Sequence, residues 1–386
     1  MNFASYDPAI ADTAVEELKT RGFASLPVPA PIASTVKKSF DLARPAFDVL
    51  EDGPPALGRH TKDSANASGS HRIGALSNYN ACREGFVFSN GASFPVKGID
   101  GFESATTAFF AAALQTARAL LAAIERRLGL PKDWFEDTLG PLSSSSQWHL
   151  KRYRPEAAPQ HAVTEDGKLV LLAVHSDPSL VSLVFHDAAG KQPGARGLEC
   201  QRQNPPSGTL ENGSETVAAT AGAIWDPVPF HGHSVVTVLG GSVLDKLTGG
   251  HFRAIRHRVA VPRATHMESG QRIAATFFFR PSPSAVLLPP PSPLLPPPSG
   301  GAAPMKYSEW QRKVADKYER HAAAADFRHA KHKGRPGQQL GNGTEGCSTV
   351  VVLTLTVTMA PDDFRLGSSR TSSHRSGARL DVRVRF

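Results

Sequence analysis

Five short strand-like runs follow one another between residues 168 and 279 of this 386-residue chain, with no helical pattern between them. Strands joined without intervening helices favour a sandwich or jelly roll over a sheet built from βαβ units. We therefore predict a mainly β fold with flanking helices and a jelly-roll core. The runs are Lys168–Val174, Leu180–Phe185, Ser234–Leu239, Ile255–Val261 and Gln271–Phe279.

Helices are predicted on the N-terminal side of these strands. Asp7 followed by Pro8 is typical of a helix start, and Gly22 supplies the stop. A longer helix is expected to end at Gly129, and residues 44–100, rich in Gly, Pro, Ser and Asn, are predicted to form surface loops. The longer helix is indicated by apolar residues at alternating steps of four and three, which are Phe110, Leu114, Ala117, Leu121, Ile124 and Leu128.

Composition divides the chain into five segments. The predicted order is an N-terminal helical and loop region (1–140), the jelly-roll domain (141–283), a proline-rich spacer outside the core (284–304), a C-terminal helix (305–333) and a disordered basic tail (334–386).

Several broad classes of protein are not expected. No apolar run approaches the roughly 18 residues that cross a bilayer, and the N-terminus has no basic segment followed by an apolar one, so we predict no membrane partner and no secretion. Cys82, Cys200 and Cys347 form no CxxC pair, which argues against a disulfide framework or a cysteine zinc site. A reducing, cytoplasmic location fits this pattern.

The formal charge of +8 is concentrated at one end of the chain. Residues 301–386 hold 15 Lys+Arg against 8 Asp+Glu, which is +7 of that total. There is no RNP-like aromatic cluster and no zinc-finger spacing, so we interpret the tail as solvated and expect no nucleic-acid partner. The sequence carries no signal for an oligomeric state.

A possible metal site lies where two of the strand-like runs end. His175 and Asp177 are two residues apart, so in an extended chain they point to the same side, and His257 lies on a later strand. Two imidazoles and one carboxylate suit Fe(II) and leave positions open for O₂ and a co-substrate. The His-x-Asp string is weak evidence by itself, and each histidine is about as readily a hydrogen-bonded structural residue.

The wider context of these residues is more specific. Along the chain, several segments occur in a recognisable order: EELKTRGFASLPV, LLAAIERRLGLPKDWFED, HSDPSLVSLVFHD, IWDPVP, LDKLTGGHFRAIRHRV, RIAATFFFRP and MKYSEWQRKVADKYERH. This order resembles that of the isopenicillin N synthase-like family of 2-oxoglutarate/Fe(II)-dependent dioxygenases, over roughly residues 5–332.

The resemblance implies a double-stranded β-helix in which His175, Asp177 and His257 bind iron. It also implies that Arg272 holds the distal carboxylate of 2-oxoglutarate, since a guanidinium fork on a strand matches a carboxylate. The expected reaction is hydroxylation or desaturation of a small organic molecule, with Fe(II) as metal, 2-oxoglutarate and O₂ as co-substrates, and ascorbate as a reductant.

Several positions depart from the family pattern, among them Gly240-Gly241-Ser242, where the family has a glycine-aspartate after the middle strand. The serine two places after the arginine is Ala274 here, which removes one contact to the co-substrate. The tyrosine that precedes a proline is Arg154, with Tyr153 one place earlier, so both stay candidates for binding the co-substrate.

Three alternatives remain open at this point. The first is a related iron oxidase that does not use 2-oxoglutarate, which Ala274 and Arg154 make conceivable. The second is a catalytically silent binding protein that has kept the fold. The third is a nucleic-acid or protein binder that acts through the basic tail.

Overall fold

The structure is a computed structural model of the whole chain. It describes residues 6–52, 68–73, 82–89, 91–93, 95–158, 162–187, 197–203, 223–262, 272–295, 304–314 and 316. The chain divides into two compact units, Met1–Lys333 and Gly334–Phe386. The second unit begins where the basic tail was predicted to begin, but it lies outside the described residues, and the expected disorder of that tail stays a prediction.

Five labelled helices and thirteen strands make up the described part of the first unit. The helices are α1 (Pro8–Arg21), α2 (Ala30–Asp52), α3 (Phe102–Leu128), α4 (Trp134–Leu139) and α5 (Ser242–Thr248). The strands are β1 (Phe23–Pro27), β2 (Gly69–His71), β3 (Arg83–Ser89), β4 (Gln147–Tyr153), β5 (Leu169–His175), β6 (Val181–His186), β7 (Leu198–Gln201), β8 (Trp225–Pro227), β9 (Val235–Gly240), β10 (His257–Val261), β11 (Arg272–Phe279), β12 (Val286–Leu287) and β13 (Met305–Lys306).

Two antiparallel sheets form a jelly roll, which confirms the predicted fold class. The larger sheet has the order β1-β9-β6-β11-β4-β3-β2, and the smaller has the order β5-β10-β7-β8. Apolar side chains from both sheets pack in one cluster, including Tyr153 and Ala274 from the larger sheet and Leu172 and Val259 from the smaller. All five predicted strand runs are present, each within about two residues of its expected ends.

The helices cover the outer face of the larger sheet. Asp7 caps α1 by accepting a 2.9 Å hydrogen bond from the Ala9 backbone, and Gly22 ends the helix with φ +78°, as expected. The buried face of α3 packs into the main core, where Phe109 stacks on Trp148 at 4.1 Å between ring centroids. Helix–sheet packing thereby fixes the strands that carry the interior side chains.

Among the helices in the described ranges, α3 alone is long and apolar enough to cross a membrane, judged by length and composition. The expectation that no stretch reaches membrane length was therefore wrong for this helix. Core helices pass the same test, and 56% of its most apolar window is buried inside the protein. In this fold α3 is a core helix.

The prediction of surface loops over residues 44–100 was wrong for much of that stretch. Helix α2 continues to Asp52, and β2 and β3 are buried strands of the larger sheet. Strand β3 pairs with β4 along its whole length, and Glu84 on β3 forms a buried ion pair with Arg152 on β4 at 2.5 Å. A charged strand resembles a loop in the sequence, but pairing makes its burial tolerable.

The proline-rich segment was expected to stay outside the core, and this was also wrong. Ala285 and Leu287 belong to the main core, and β12 pairs with β13. Residues 307–314 are helical, as predicted for the start of the C-terminal helix, and from residue 317 that prediction lies outside the described residues.

Candidate metal centre

Two histidines face each other at the open end of the smaller sheet. His175 is the last residue of β5 and His257 is the first residue of β10, and the strand register pairs them directly. Their ring centroids lie 4.2 Å apart. Asp177 follows two residues after His175, and the ligand atoms of all three residues lie within 4.8 Å of one another. The structure thus brings together the three residues that the sequence predicts.

The donor atoms of the three side chains point at one another. His175 Nε2 lies 3.5 Å from Asp177 Oδ1, and His257 Nε2 lies 3.7 Å from Asp177 Oδ2. The other ring nitrogens face backbone carbonyls, with His175 Nδ1 at 2.8 Å from the Ala173 oxygen and His257 Nδ1 at 3.3 Å from the Ile255 oxygen. A proton on Nδ1 leaves the lone pair on Nε2, which is the tautomer a metal ligand needs.

The pKa values of His257 and Asp177 are shifted toward the protonation states that a bound cation needs. Burial and the neighbouring His175 together lower the pKa of His257 to about 4, so its imidazole is neutral at pH 7. Burial opposes ionisation of Asp177, but the two histidines outweigh it and hold the pKa of that carboxyl below its usual range. Asp177 Oδ2 is buried and accepts no hydrogen bond from the residues that the structure describes. A divalent cation would satisfy this oxygen, so the donor set fits iron.

The turn that carries Asp177 is held by residues distant in sequence. The Asp177 carbonyl oxygen accepts hydrogen bonds from the Ser242 backbone at 2.9 Å and from Ser242 Oγ at 3.0 Å. Tyr307 donates its hydroxyl proton to the Pro178 carbonyl at 2.8 Å. Gly241 lies so close to this turn that an added Cβ would meet the Ser179 carbonyl oxygen at 2.0 Å.

The contacts that hold the Asp177 turn could not be predicted from the local sequence around it. The motif Gly240-Gly241-Ser242 departs from the family pattern, and the structure gives it a role: a residue without a side chain at 241 allows close approach, and the serine at 242 fixes the Asp177 backbone. A contact of this kind depends on the three-dimensional path of the chain and not on local periodicity.

A pocket between the two sheets continues from His175, Asp177 and His257. Arg272 begins β11 and is 9% exposed, and its guanidinium lies 4.5 Å from the ring centroid of Tyr153, the residue opposite it on β4. Burial lowers the pKa of Arg272. Tyr153 and Arg272 both line this pocket, in line with their predicted roles. The full lining comprises Lys151, Tyr153, Leu172, His175, Asp177, Val184, Leu198, His257, Val259, Arg272, Ala274, Thr276 and Phe278.

Arg154, the other candidate for the co-substrate, is not among the residues that line the pocket. Its guanidinium pairs with Glu84 at 3.3 Å and with Glu156 at 3.5 Å. Successive residues of a strand face opposite sides, so Tyr153 and Arg154 cannot both point inward. Of the two, the structure brings Tyr153 to the pocket.

A larger cavity of about 310 Å³ lies elsewhere, between α3 and α4. Its acidic groups already have partners, because Glu125 accepts hydrogen bonds from the backbone of Asp133 and Phe135 and Glu136 pairs with Arg118. The smaller pocket is therefore the better candidate for chemistry.

A jelly roll with two histidines and one carboxylate on one side of an interior pocket is the architecture of the non-haem iron oxygenases. Comparison with known families agrees. The family model of the 2OG-Fe(II) oxygenase superfamily matches residues 148–281, the stretch that holds the three candidate metal ligands and Arg272. Residues 148–281 thus carry a 2OG-Fe(II) oxygenase domain, and the isopenicillin N synthase-like family that the sequence resembles belongs to the same superfamily.

Individual relatives are distant. The 2-oxoglutarate-dependent dioxygenase ecdK of Aspergillus rugulosus is 26% identical over 187 residues, which are 47% of this chain and 48% of that protein. The match thus spans about half the length of that curated relative.

Solved structures share the fold at low identity. A 2OG-Fe(II) oxygenase family protein from Caulobacter crescentus superposes with a TM-score of 0.57 at 14% identity, over 81% of this chain and 94% of that one. A full-length Neurospora crassa protein in complex with alpha-KG and 5-formyluracil superposes with a TM-score of 0.58 at 16% identity, over 78% and 87% of the two chains.

Proposed function

We propose that this protein is a non-haem Fe(II) oxygenase that couples oxidative decarboxylation of 2-oxoglutarate to hydroxylation or desaturation of a small organic molecule. The observation that carries the proposal is the convergence of His175, Asp177 and His257 within 4.8 Å, in a pocket shared with the buried Arg272. When bound, Fe(II) and 2-oxoglutarate supply the O₂ chemistry that oxidises a C–H bond.

The residues of this chain supply binding and orientation. The carbonyls of Ala173 and Ile255 hold the two imidazoles with Nε2 toward Asp177, and the Asp177 carboxylate balances part of the charge of the metal. Arg272 offers two parallel N–H donors to the distal carboxylate of the keto acid. Apolar walls keep the interior dry, and they are formed by Leu172, Val184, Leu198, Val259 and Phe278.

The substrate, the reductant and the location belong to this proposal as well. Structures of the Neurospora crassa protein in complex with thymine or 5-formyluracil give an example of this fold with a small heterocycle bound, which supports a small organic substrate here. We propose ascorbate as the reductant that restores Fe(II). Cys82 and Cys200 are buried free thiols, which supports a reducing, cytoplasmic location.

The test is an anaerobic optical titration of the metal-free protein with Fe(II) and then with 2-oxoglutarate. A visible metal-to-ligand charge-transfer band requires the iron and the chelating keto acid together. The band is expected in the parent protein and not in His175→Ala. His231→Ala is the matched control, because His231 is exposed and lies outside the three-residue cluster.

The outcomes separate the alternatives. If iron binds but no band forms at any accessible 2-oxoglutarate concentration, the protein is an iron oxidase that does not use this keto acid. If iron fails to bind to the parent protein, the fold is catalytically silent. Loss of the band in His231→Ala as well as in His175→Ala would contradict the assignment of the metal site.

A further inference from the structure

Lys151 is a buried lysine that lines the pocket, and the proposed iron chemistry assigns it no role. It lies in the middle of β4, is 6% exposed, and stands directly opposite Ala274 in the register of β4 and β11. Its Nζ lies 3.5 Å from Thr276 Oγ1 and 5.1 Å from the centroid of the Phe278 ring. Both contacts are weak for an ammonium group removed from water.

Among the described residues, no carboxylate forms an ion pair with this ammonium group. Within the described part of the chain, no carboxylate lies within 4.0 Å of Lys151 Nζ. Burial first, and then the cations Arg83, Arg272 and Arg280, lower the pKa of Lys151, while Asp177 alone among its recorded charge partners raises it. A buried cation with cationic neighbours is costly unless an anion joins it. The pocket is therefore built to receive negative charge beside Lys151.

The position of Lys151 relative to Arg272 indicates which anion this is. Arg272 pairs with Tyr153 and Ala274 pairs with Lys151, so Arg272 and Lys151 are diagonal neighbours on the inner face of adjoining strands. Diagonal neighbours have Cβ atoms roughly 7 Å apart, so both long side chains can reach one carboxylate between them once the Lys151 ammonium turns back from Thr276 and Phe278. The methyl group of Ala274 lies beside that gap and adds little bulk to it.

We propose that Lys151 binds the distal carboxylate of 2-oxoglutarate together with Arg272. This inference rests on the proposed function, since it assigns a second residue to the same co-substrate. Charge agrees with it, because a bound dicarboxylate favours the protonated form of Lys151. With Lys151 protonated, the charges of Lys151, Arg272, Asp177 and a divalent iron sum to +3, which a doubly charged dicarboxylate reduces to +1. Free space within the pocket is about 20 Å³, so entry of a five-carbon acid requires the long side chains of Lys151 and Arg272 to move.

The test measures dissociation constants and not turnover. Protein loaded anaerobically with Fe(II) is titrated by calorimetry with 2-oxoglutarate and, separately, with 2-oxopentanoate, which has the same chelating end and no distal carboxylate. Lys151→Met removes the charge at nearly constant length, and Lys151→Arg restores a charge. Lys37→Met is the control, because Lys37 is 63% exposed in its surface pair with Asp41.

Loss of a hydrogen bond between charged groups should raise the dissociation constant for 2-oxoglutarate roughly ten- to hundred-fold in Lys151→Met. Lys151→Arg should lie within several-fold of the parent, and Lys37→Met should match it. The dissociation constant for 2-oxopentanoate should be the same in Lys151→Met and the parent.

Three results overturn the assignment. Unchanged 2-oxoglutarate binding in Lys151→Met means that Lys151 serves another ligand, such as an anionic primary substrate. Equal weakening for both acids means that Lys151 acts on the metal end of the pocket or on the fold. A parent protein that binds iron but not 2-oxoglutarate overturns the proposed function itself, and this assignment with it.

Discussion

Replacing Gly241 by alanine tests whether the turn at Asp177 depends on close backbone approach. The backbone of Gly241 has φ −93° and ψ 160°, which any residue adopts, so the substitution causes no conformational strain. The added Cβ would instead lie 2.0 Å from the Ser179 carbonyl oxygen and 2.6 Å from its carbonyl carbon. Because both neighbours are backbone atoms, neither can rotate away, and the turn must move by about 1 Å.

The cost follows from what that movement breaks. Overpacking in a tight site costs about 1–3 kcal/mol. The same corner holds the hydrogen bonds from Gly241 N to the Leu180 oxygen at 3.0 Å and from Ser242 N to the Asp177 oxygen at 2.9 Å, each worth about 1 kcal/mol. We expect Gly241→Ala to lower the free energy of unfolding by about 3 kcal/mol or more. Displacement of Asp177 should also weaken Fe(II) binding roughly ten- to hundred-fold.

Urea unfolding of the metal-free protein and anaerobic Fe(II) titration measure the two effects. Gly98→Ala is the control, because an added Cβ there meets nothing within 4 Å and only its φ of +80° carries a cost, about 1 kcal/mol. That variant should bind Fe(II) like the parent. If Gly241→Ala matches the parent in both stability and iron affinity, the turn does not constrain Asp177 and the reasoning is refuted.

Two further predictions concern buried groups near the site. Tyr307→Phe removes the hydrogen bond to Pro178 and should cost about 1 kcal/mol at pH 8. Burial raises the pKa of Tyr307 to about 12, so the stability that Tyr307 contributes is complete below pH 10 and is lost between pH 10 and 12. Urea unfolding at pH 8 and pH 11 should therefore show the difference in unfolding free energy between variant and parent closing. A difference that stays constant would contradict this. Cys200 is 0% exposed, and burial also raises the pKa of its thiol. In a variant that lacks the other two cysteines, iodoacetamide should label the folded protein at least roughly 100-fold more slowly than the urea-unfolded protein. Equal labelling rates would contradict this burial.

Features that depend on local residue patterns were predictable from the sequence. Asp7, Pro8 and Gly22 specify the ends of α1 by cap chemistry, and the periodic apolar residues specify α3. Strand alternation predicts that His175 and Asp177 point to one side, but this string is weak evidence by itself. The three candidate ligands could be named in advance because the order of segments resembles a known family, and the structure pairs His175 with His257.

Features that depend on distant pairing were not predictable in the same way. Residues 44–100 were predicted to be loops from their Gly, Pro, Ser and Asn content, but Glu84 in β3 is buried against Arg152, which lies 68 residues away. Helix α2 contains Pro45 and is nevertheless stabilised by the core through Phe40 and Phe47. The burial of Lys151 follows from the register of β4 against β11, which no local pattern shows.

The hydrogen bond from Tyr307 to Pro178 has a consequence for biosynthesis. Tyr307 is added 129 residues after the turn that it supports, and 50 residues after His257. During translation the two histidines and Asp177 leave the ribosome before this support exists. We therefore expect the turn that carries Asp177 to be held loosely in the nascent chain until Tyr307 docks.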